Sequence, residues 1–104
     1  MSALERAELT LDALGNPVRR EIIRLLLPGP RSVGNIATEL PVSRPAVSRH
    51  LRILEKAELV GHSGEGRRNL FYLKRAGFEN ARTWLDSFWD EALERFAAIA
   101  ERED

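Results

Sequence analysis

Apolar side chains recur at intervals of three and four residues along the first part of the chain, which is the spacing of amphipathic helices. The first such stretch covers residues 3–14 and stops at Gly15. A second begins at Asn16-Pro17, a helix cap followed by a proline in the first turn, and runs to the break at Pro28. The pattern therefore predicts two helices before residue 30.

Two shorter helical patterns follow, separated by a three-residue turn. Ser32 is a suitable cap for a third helix that stops before Pro41, and Ser43 for a fourth over residues 44–58. The inner face of the fourth helix carries Val47, Leu51 and Leu54. Two short helices joined by a tight turn predict a helix-turn-helix over about residues 32–58.

The period then shortens to two over about residues 59–75, which is typical of strands. Two short apolar runs flank the segment Gly64–Arg68, which contains two glycines and ends in Arg67 and Arg68. This segment predicts a β-hairpin, and a hairpin directly after a helix-turn-helix is a wing.

The last stretch, about residues 77–102, reads as one long helix, because neither glycine nor proline occurs after Gly77. Its apolar arc is wider than one small domain covers, so we expect it to form a dimer interface with the first helix. The alternative is that this helix only closes its own core. The residues expected at the dimer interface are Leu4, Leu11, Trp84, Leu85, Phe88, Trp89, Ala92 and Phe96.

These elements define the expected fold class, which is mainly α with a small β-hairpin (α+β), in the order α-α-α-α-β-β-α. A length of 104 residues fits one domain, residues 1–104. No apolar run approaches the roughly 18 residues that cross a bilayer, so we expect no membrane partner. The start of the chain does not resemble a signal peptide and the chain has no cysteine, so we expect a cytoplasmic protein.

The formal net charge is zero, which by itself argues against a nucleic-acid partner. The charges are unevenly distributed, however. Residues 1–75 carry 13 basic and 8 acidic side chains, a net of +5, whereas residues 76–104 carry 3 and 8, a net of −5. This asymmetry indicates an acidic partner for the first segment, and 14 of the 16 basic residues are arginine, which pairs well with phosphate and guanine.

The fourth helix has the composition of a recognition helix. Opposite its apolar stripe we expect only cationic, hydroxylic or small side chains, and its capped N-terminus offers backbone N–H groups to a phosphate. The wing arginines would then reach the minor groove or its backbone. For Arg52 and Lys56 a merely solvated position is an equal alternative. The expected DNA-binding residues are Ser43, Arg44, Ser48, Arg49, Arg52, Lys56, Arg67 and Arg68.

Four segments, ALGNPVRREIIRLL, SVGNIATEL, PVSRPAVSRHLRILEKAELV and GEGRRNLFYL, occur in an order and spacing that resemble the ArsR/SmtB-type winged helix-turn-helix repressors. The resemblance covers about residues 12–75. It implies a homodimer on an inverted-repeat operator, with Ser43, Arg44, Ser48 and Arg49 facing the major groove and the wing arginines making flanking contacts. Many relatives have glutamine where this chain has Arg44, and an arginine there would favour guanine over adenine.

The resemblance also raises the question of a metal, because some members of this family bind one through cysteine pairs in the third helix or an Asp/His set in the last. This chain has no cysteine, and Phe88 stands where an Asp-x-His pair starting at Asp86 would need its histidine. His50 and His62 lie on different elements. We therefore expect a metal-independent member without a cofactor.

Other function classes are less well supported. Ser48 and His50 point apart on a helix, as do His62 and Ser63 on a strand, so neither pair activates a nucleophile, and no cofactor motif is present. We expect no enzymatic activity. A winged-helix protein-interaction module remains the alternative, and an effector, whether small molecule or protein, is not defined by the sequence.

Overall fold

The computed structural model describes residues 1–65 and 68–102, without the side chain of Glu65. The chain forms five helices and three short strands within these residues. They are α1 (Ala3–Leu14), α2 (Pro17–Leu26), β1 (Arg31–Ser32), α3 (Val33–Thr38), α4 (Arg44–Lys56), β2 (Val60–Glu65), β3 (Arg68–Leu73) and α5 (Arg75–Arg102).

The helix starts are those that the cap residues predict. The Asn16 side chain accepts hydrogen bonds from the backbone N–H groups of Val18 and Arg19, which leaves Pro17 in the first turn. Ser32 and Ser43 cap α3 and α4 in the same manner. The two helices end earlier than expected, at Thr38 and Lys56. Because α3 already ends at Thr38 and α4 begins at Arg44, the turn between them covers residues 39–43 and is longer than the expected three residues.

The predicted element order was wrong in one respect, because it lacked β1. Arg31 pairs with Phe71 and Ser32 with Leu70, so the hairpin becomes a three-stranded antiparallel sheet in the order β1-β3-β2. A strand of two residues is too short to show an alternating pattern, and the capping signal of Ser32 belongs to the next helix. The pairing joins the start of α3 to the wing.

The wing strands are longer than the sequence indicates. β2 and β3 stay in register from Val60–Leu73 out to Glu65–Arg68, so Arg68 lies in a strand. The expected contact residue Arg67 lies outside the described residues.

The core is formed where α2, α3, α4 and the sheet meet. Its largest fully buried apolar side chains are Ile22, Ile36, Val47, Leu51, Leu54, Leu59 and Val60. Thr10 on α1 is buried with them. Its hydroxyl lies 3.1 Å from the carbonyl oxygen of Arg6 and 3.3 Å from that of Ala57, so this polar group is satisfied and links α1 to the end of α4.

The end of α4 is fixed by a Schellman motif. Glu58 adopts a left-handed conformation (φ 61°), while the N–H groups of Glu58 and Leu59 donate to the carbonyls of Glu55 and Leu54. The start of α5 packs directly on this turn, because the Gly77 N–H donates to the Glu58 carbonyl oxygen at 2.8 Å. A Cβ atom on Gly77 would lie only 2.6 Å from the carbonyl oxygen of Ala57.

Helix α5 begins at Arg75, slightly earlier than expected, and extends far beyond the core. Its buried residues are Gly77 and Ala81, both near its start. The radius of gyration is 18.0 Å, against about 13 Å for a compact chain of this length, and the longest dimension is 67 Å. No helix in residues 1–65 or 68–102 is long and apolar enough to cross a membrane.

We predict that Gly77→Ala lowers the free energy of unfolding by about 1–3 kcal/mol, because the new methyl group overlaps the turn after α4. A loss of stability would point to the steric overlap, since the higher helix propensity of alanine would by itself stabilise the helix. Gly64→Ala is the control, because the nearest atom to its Cβ would be 3.8 Å away. Urea denaturation at one protein concentration measures both variants, and equal midpoints for the two would contradict the close packing.

Candidate nucleic-acid interface

The first turn of α4 offers little backbone to a phosphate. The N–H of Ala46 donates to the Ser43 side chain at 3.3 Å, and Pro45 has no N–H. This N-terminus therefore presents fewer free N–H groups than expected, and an anion bound at this end of α4 would be contacted mainly by side chains.

The outward face of α4 carries most of the predicted residues. Arg49, Arg52 and Lys56 are exposed, and Ser48 is half-buried at the edge of this face. The sequence predicted a purely polar face, but Ile53 is 43% exposed between the arginines and the lysine. An apolar side chain in this position can contact a thymine methyl group or a sugar.

Arg44 differs from the other cations of α4. It lies three, seven and ten residues before Val47, Leu51 and Leu54, so it continues the buried stripe beyond the end of the core. Its guanidinium turns towards α3: a Cβ atom on Gly34 would lie 3.6 Å from Nη1 and 3.7 Å from Cζ.

Arg44 and Arg68 line one cleft, although 24 positions separate them in the sequence. The cleft has a volume of about 350 Å³ and lies between the start of α3, the start of α4 and β3. Its lining residues are Ser32, Val33, Gly34, Arg44, Arg68 and Asn69. Gly34 and Asn69 carry no signal in the sequence, because only the β1–β3 pairing brings the wing to α3.

The position of α4 is fixed from the other side by Arg19, which no motif in the sequence singles out. The Arg19 guanidinium donates to the carbonyl oxygens of Ala13 at 2.7 Å and Asp12 at 3.3 Å, and to Nδ1 of His50 at 3.3 Å. Since a guanidinium only donates, Nδ1 of His50 accepts and the ring proton lies on Nε2. Arg19 thus connects the end of α1 to the recognition helix.

The wing is tied to α4 through His62. Its Nδ1 lies 3.0 Å from a carboxylate oxygen of Glu55 on α4, and its ring packs on Phe71 at 5.3 Å between centroids. The two predicted contact elements are thereby held in a fixed relation to each other.

Lys56 lies at the opposite end of α4 from the cleft. It borders a surface depression together with Glu5, Glu8 and Asp12 of α1. The structure therefore does not bring Lys56 together with Arg44 and Arg68, and its role in DNA contact stays a prediction.

The cations of α4 and those of α5 differ in their partners. On α5, Arg75, Arg82 and Arg95 each form an ion pair with an acidic residue four positions away. Among the described side chains, no carboxylate pairs with a cation of α4. The cations of α4 are thus available to an external anion. Residues 1–65 and 68–102 contain no group of three or more His, Cys, Asp or Glu side chains placed to hold a metal ion.

The residues predicted for a dimer interface lie mainly on the projecting part of α5. Phe96 is 65% and Trp89 58% exposed, and Trp84 stacks on Phe88 at 5.9 Å between centroids. Ala92 and Leu11 are half-buried, whereas Leu4 and Leu85 are exposed. The exposed apolar arc continues through Leu93 and Ile99.

A recognition helix held between a short helix and a paired wing is the arrangement of a winged helix-turn-helix DNA-binding regulator. The family model described as a bacterial regulatory protein of the arsR family matches residues 16–61. The HTH-type transcriptional regulator Rv2034 of Mycobacterium tuberculosis is 41% identical over 103 residues, which is 99% of this chain and 96% of the relative. The chain belongs to the ArsR family of transcriptional regulators.

Solved structures agree with this assignment. An ArsR-like transcriptional regulator from Rhodococcus has a TM-score of 0.85 at 30% identity, covering 94% of this chain and 92% of that one. A homodimeric winged helix-turn-helix DNA-binding domain from Mycobacterium bovis has a TM-score of 0.67 at 32% identity, covering 88% and 85%. The transcriptional repressor SdpR of Bacillus subtilis is 32% identical over 73% of this chain and 84% of the relative. The resemblance inferred from sequence is thus confirmed.

We predict a pH effect that originates at His50. Partial burial, followed by the charges of Arg19 and Arg49, lowers the pKa of His50 below its usual 6.5. The unfolded chain then binds a proton at His50 more readily than the folded chain does. The contribution of His50 to the free energy of unfolding is therefore complete above about pH 6.5 and is lost as the pH falls below this value. His50→Gln keeps an acceptor for Arg19 but does not titrate. Its free energy of unfolding should decrease less than that of the wild type between about pH 7.5 and about pH 5.5. Parallel decreases in urea denaturation would disprove the effect.

Proposed function

We propose that this protein is a homodimeric repressor that binds an inverted-repeat operator in double-stranded DNA and requires no metal. The observation that carries the proposal is the contrast in ion pairing: Arg75, Arg82 and Arg95 of α5 are paired with acidic residues, while no described carboxylate pairs with the cations of α4. Nucleic acid is the partner that such a helix face fits.

The proposed contacts divide between two parts of the surface. In the major groove we place α4 with its cap Ser43, the side chains of Ser48, Arg49 and Arg52, and Lys56 at its far end. The wing, with Arg67 and Arg68, lies over the flanking groove or its backbone. In this arrangement the whole chain acts as one domain at the DNA, in the cytoplasm.

The dimer rests on the projecting half of α5. Exposed aromatic and aliphatic side chains over so long a surface are typical of a subunit interface. The homodimeric domain from Mycobacterium bovis supports the same assembly for this chain. Two-fold symmetry would place two α4 helices about 34 Å apart, one turn of DNA, which an inverted repeat matches. The name of the relative SdpR supports repression.

We expect Arg49→Ala and Arg52→Ala each to weaken binding to a random duplex and to lower the slope of log K against log salt by about one, because each removes a phosphate contact. Arg24→Ala is the matched control, since Arg24 is also an exposed arginine but lies on α2, paired with Glu21. Fluorescence anisotropy at several salt concentrations measures the slopes. No binding by the wild type at low salt would favour a protein-interaction module instead.

For the dimer, we expect light scattering at micromolar concentration to give twice the chain mass of 11.8 kDa, and Phe96→Glu to give the mass of a monomer, because a carboxylate would be buried at the interface. Glu94→Gln, on the polar side of the same helix, should remain dimeric. A wild-type monomer, or a dimer that tolerates Phe96→Glu, would refute the proposed interface.

A further inference from the structure

The cleft between α3 and the wing has the composition of an anion site. Its described lining residues include Arg44, Arg68 and Asn69, whose side chains can donate hydrogen bonds to an anion, and none of the described lining residues is acidic. Ser32 adds a hydroxyl. Its Oγ already accepts from the Asn35 N–H at 3.2 Å, so its proton is left for an acceptor outside.

We propose that Arg44 and Arg68 together bind a single phosphate of the DNA backbone in this cleft, so that Arg44 fixes the position of the protein on the duplex and does not read guanine. The inference rests on the proposed DNA binding and assigns one contact within it. Planar guanidinium groups pair with phosphate oxygens through charge-assisted hydrogen bonds, and two of them suit one diester.

The direction of the Arg44 side chain is the first reason. Because Arg44 continues the buried stripe of α4, its side chain leaves the helix beside α3, while Arg49 and Arg52 leave from the outer face. A bidentate guanine contact needs a fork that points from the helix into the groove. The guanidinium lies instead beside Gly34, in the cleft between α3 and the wing.

The absence of a side chain at Gly34 is the second reason. The Arg44 guanidinium lies 3.6–4.0 Å from the position of a Cβ atom there, which is ordinary contact distance, so alanine would fit but a longer side chain would occupy the cleft. The β1–β3 pairing brings Arg68 to the other wall. The cleft therefore joins α3, α4 and the wing, and a phosphate bound in it would fix the angle between α4 and the wing.

The test begins with an operator selected from a random duplex library by the wild-type protein. Salt slopes are then measured for Arg44→Gln, Arg68→Gln and the double variant, on the selected operator and on a random duplex, with Arg24→Gln as the control for loss of charge. Circular dichroism melting establishes that each variant is folded. We expect each single variant to lose about tenfold in affinity, equally on both duplexes.

The double variant separates a shared phosphate from two independent ones. With one phosphate in the cleft, the double variant lowers the salt slope by about one, and its loss in affinity is smaller than the product of the single losses. A salt slope lowered by about two, together with a loss in affinity equal to the product of the single losses, would overturn the shared site. A changed base preference at one operator position in Arg44→Gln would establish guanine reading and also overturn it, while leaving the proposed function intact.

A second measurement locates the phosphate directly. Neutral methylphosphonate groups replace single phosphates of the selected operator in turn. One position per half-site should weaken the wild type but have no effect on the double variant. If every position affects both proteins equally, the cleft holds no phosphate. A wild-type protein that selects no operator would instead refute the proposed function.

Discussion

The turn that ends α4 is the point on which the rest of the structure depends. Within three residues, Ala57 to Leu59, the recognition helix is closed by its Schellman motif and the chain enters the wing. Thr10 reaches the same turn from α1, and Gly77 approaches it closely from α5. A displacement of this turn would therefore move α4 relative to α1, α5 and the wing at once.

Two further side-chain contacts also fix the position of α4, one relative to α1 and one relative to the wing. Arg19 holds the middle of α4 to the end of α1 through the His50 ring, and Glu55 holds the wing through His62. The Arg19–His50 contact is partly buried, which protects it from competition by water, whereas the His62–Glu55 contact is exposed. The cationic face of α4 is thus presented on a support of apolar packing and a few polar contacts.

Much of this architecture follows from local signals in the sequence. Asn16-Pro17, Ser32 and Ser43 predicted the helix starts because a cap residue satisfies a backbone group within its own turn, whatever the rest of the fold does. The strand β1 was missed because its partner lies about 40 residues away and two residues show no period. The turn of Arg44 towards Gly34 and the Arg19–His50 contact share this property. They depend on pairs distant in sequence, which spacing along the chain does not encode.

The uneven distribution of charge along the chain corresponds to two different parts of the structure. The net charge of zero combines a basic part, residues 1–75, with an acidic last helix. Most of the cations on α5 form ion pairs with acidic residues one turn away, and the helix has more carboxylates than cations. In the field of a duplex the two ends of the molecule would experience opposite forces, which orients the protein before contact is made.

The projecting half of α5 links the amount of protein to its activity. Beyond Ala81 the helix is almost entirely exposed within one chain, so most of its apolar surface is covered only after association. In the proposed dimer, the species that spans both half-sites forms in proportion to the square of the chain concentration while monomers predominate. Occupancy of the operator would then rise steeply around a threshold of synthesis, and dilution at cell division would be enough to lower it.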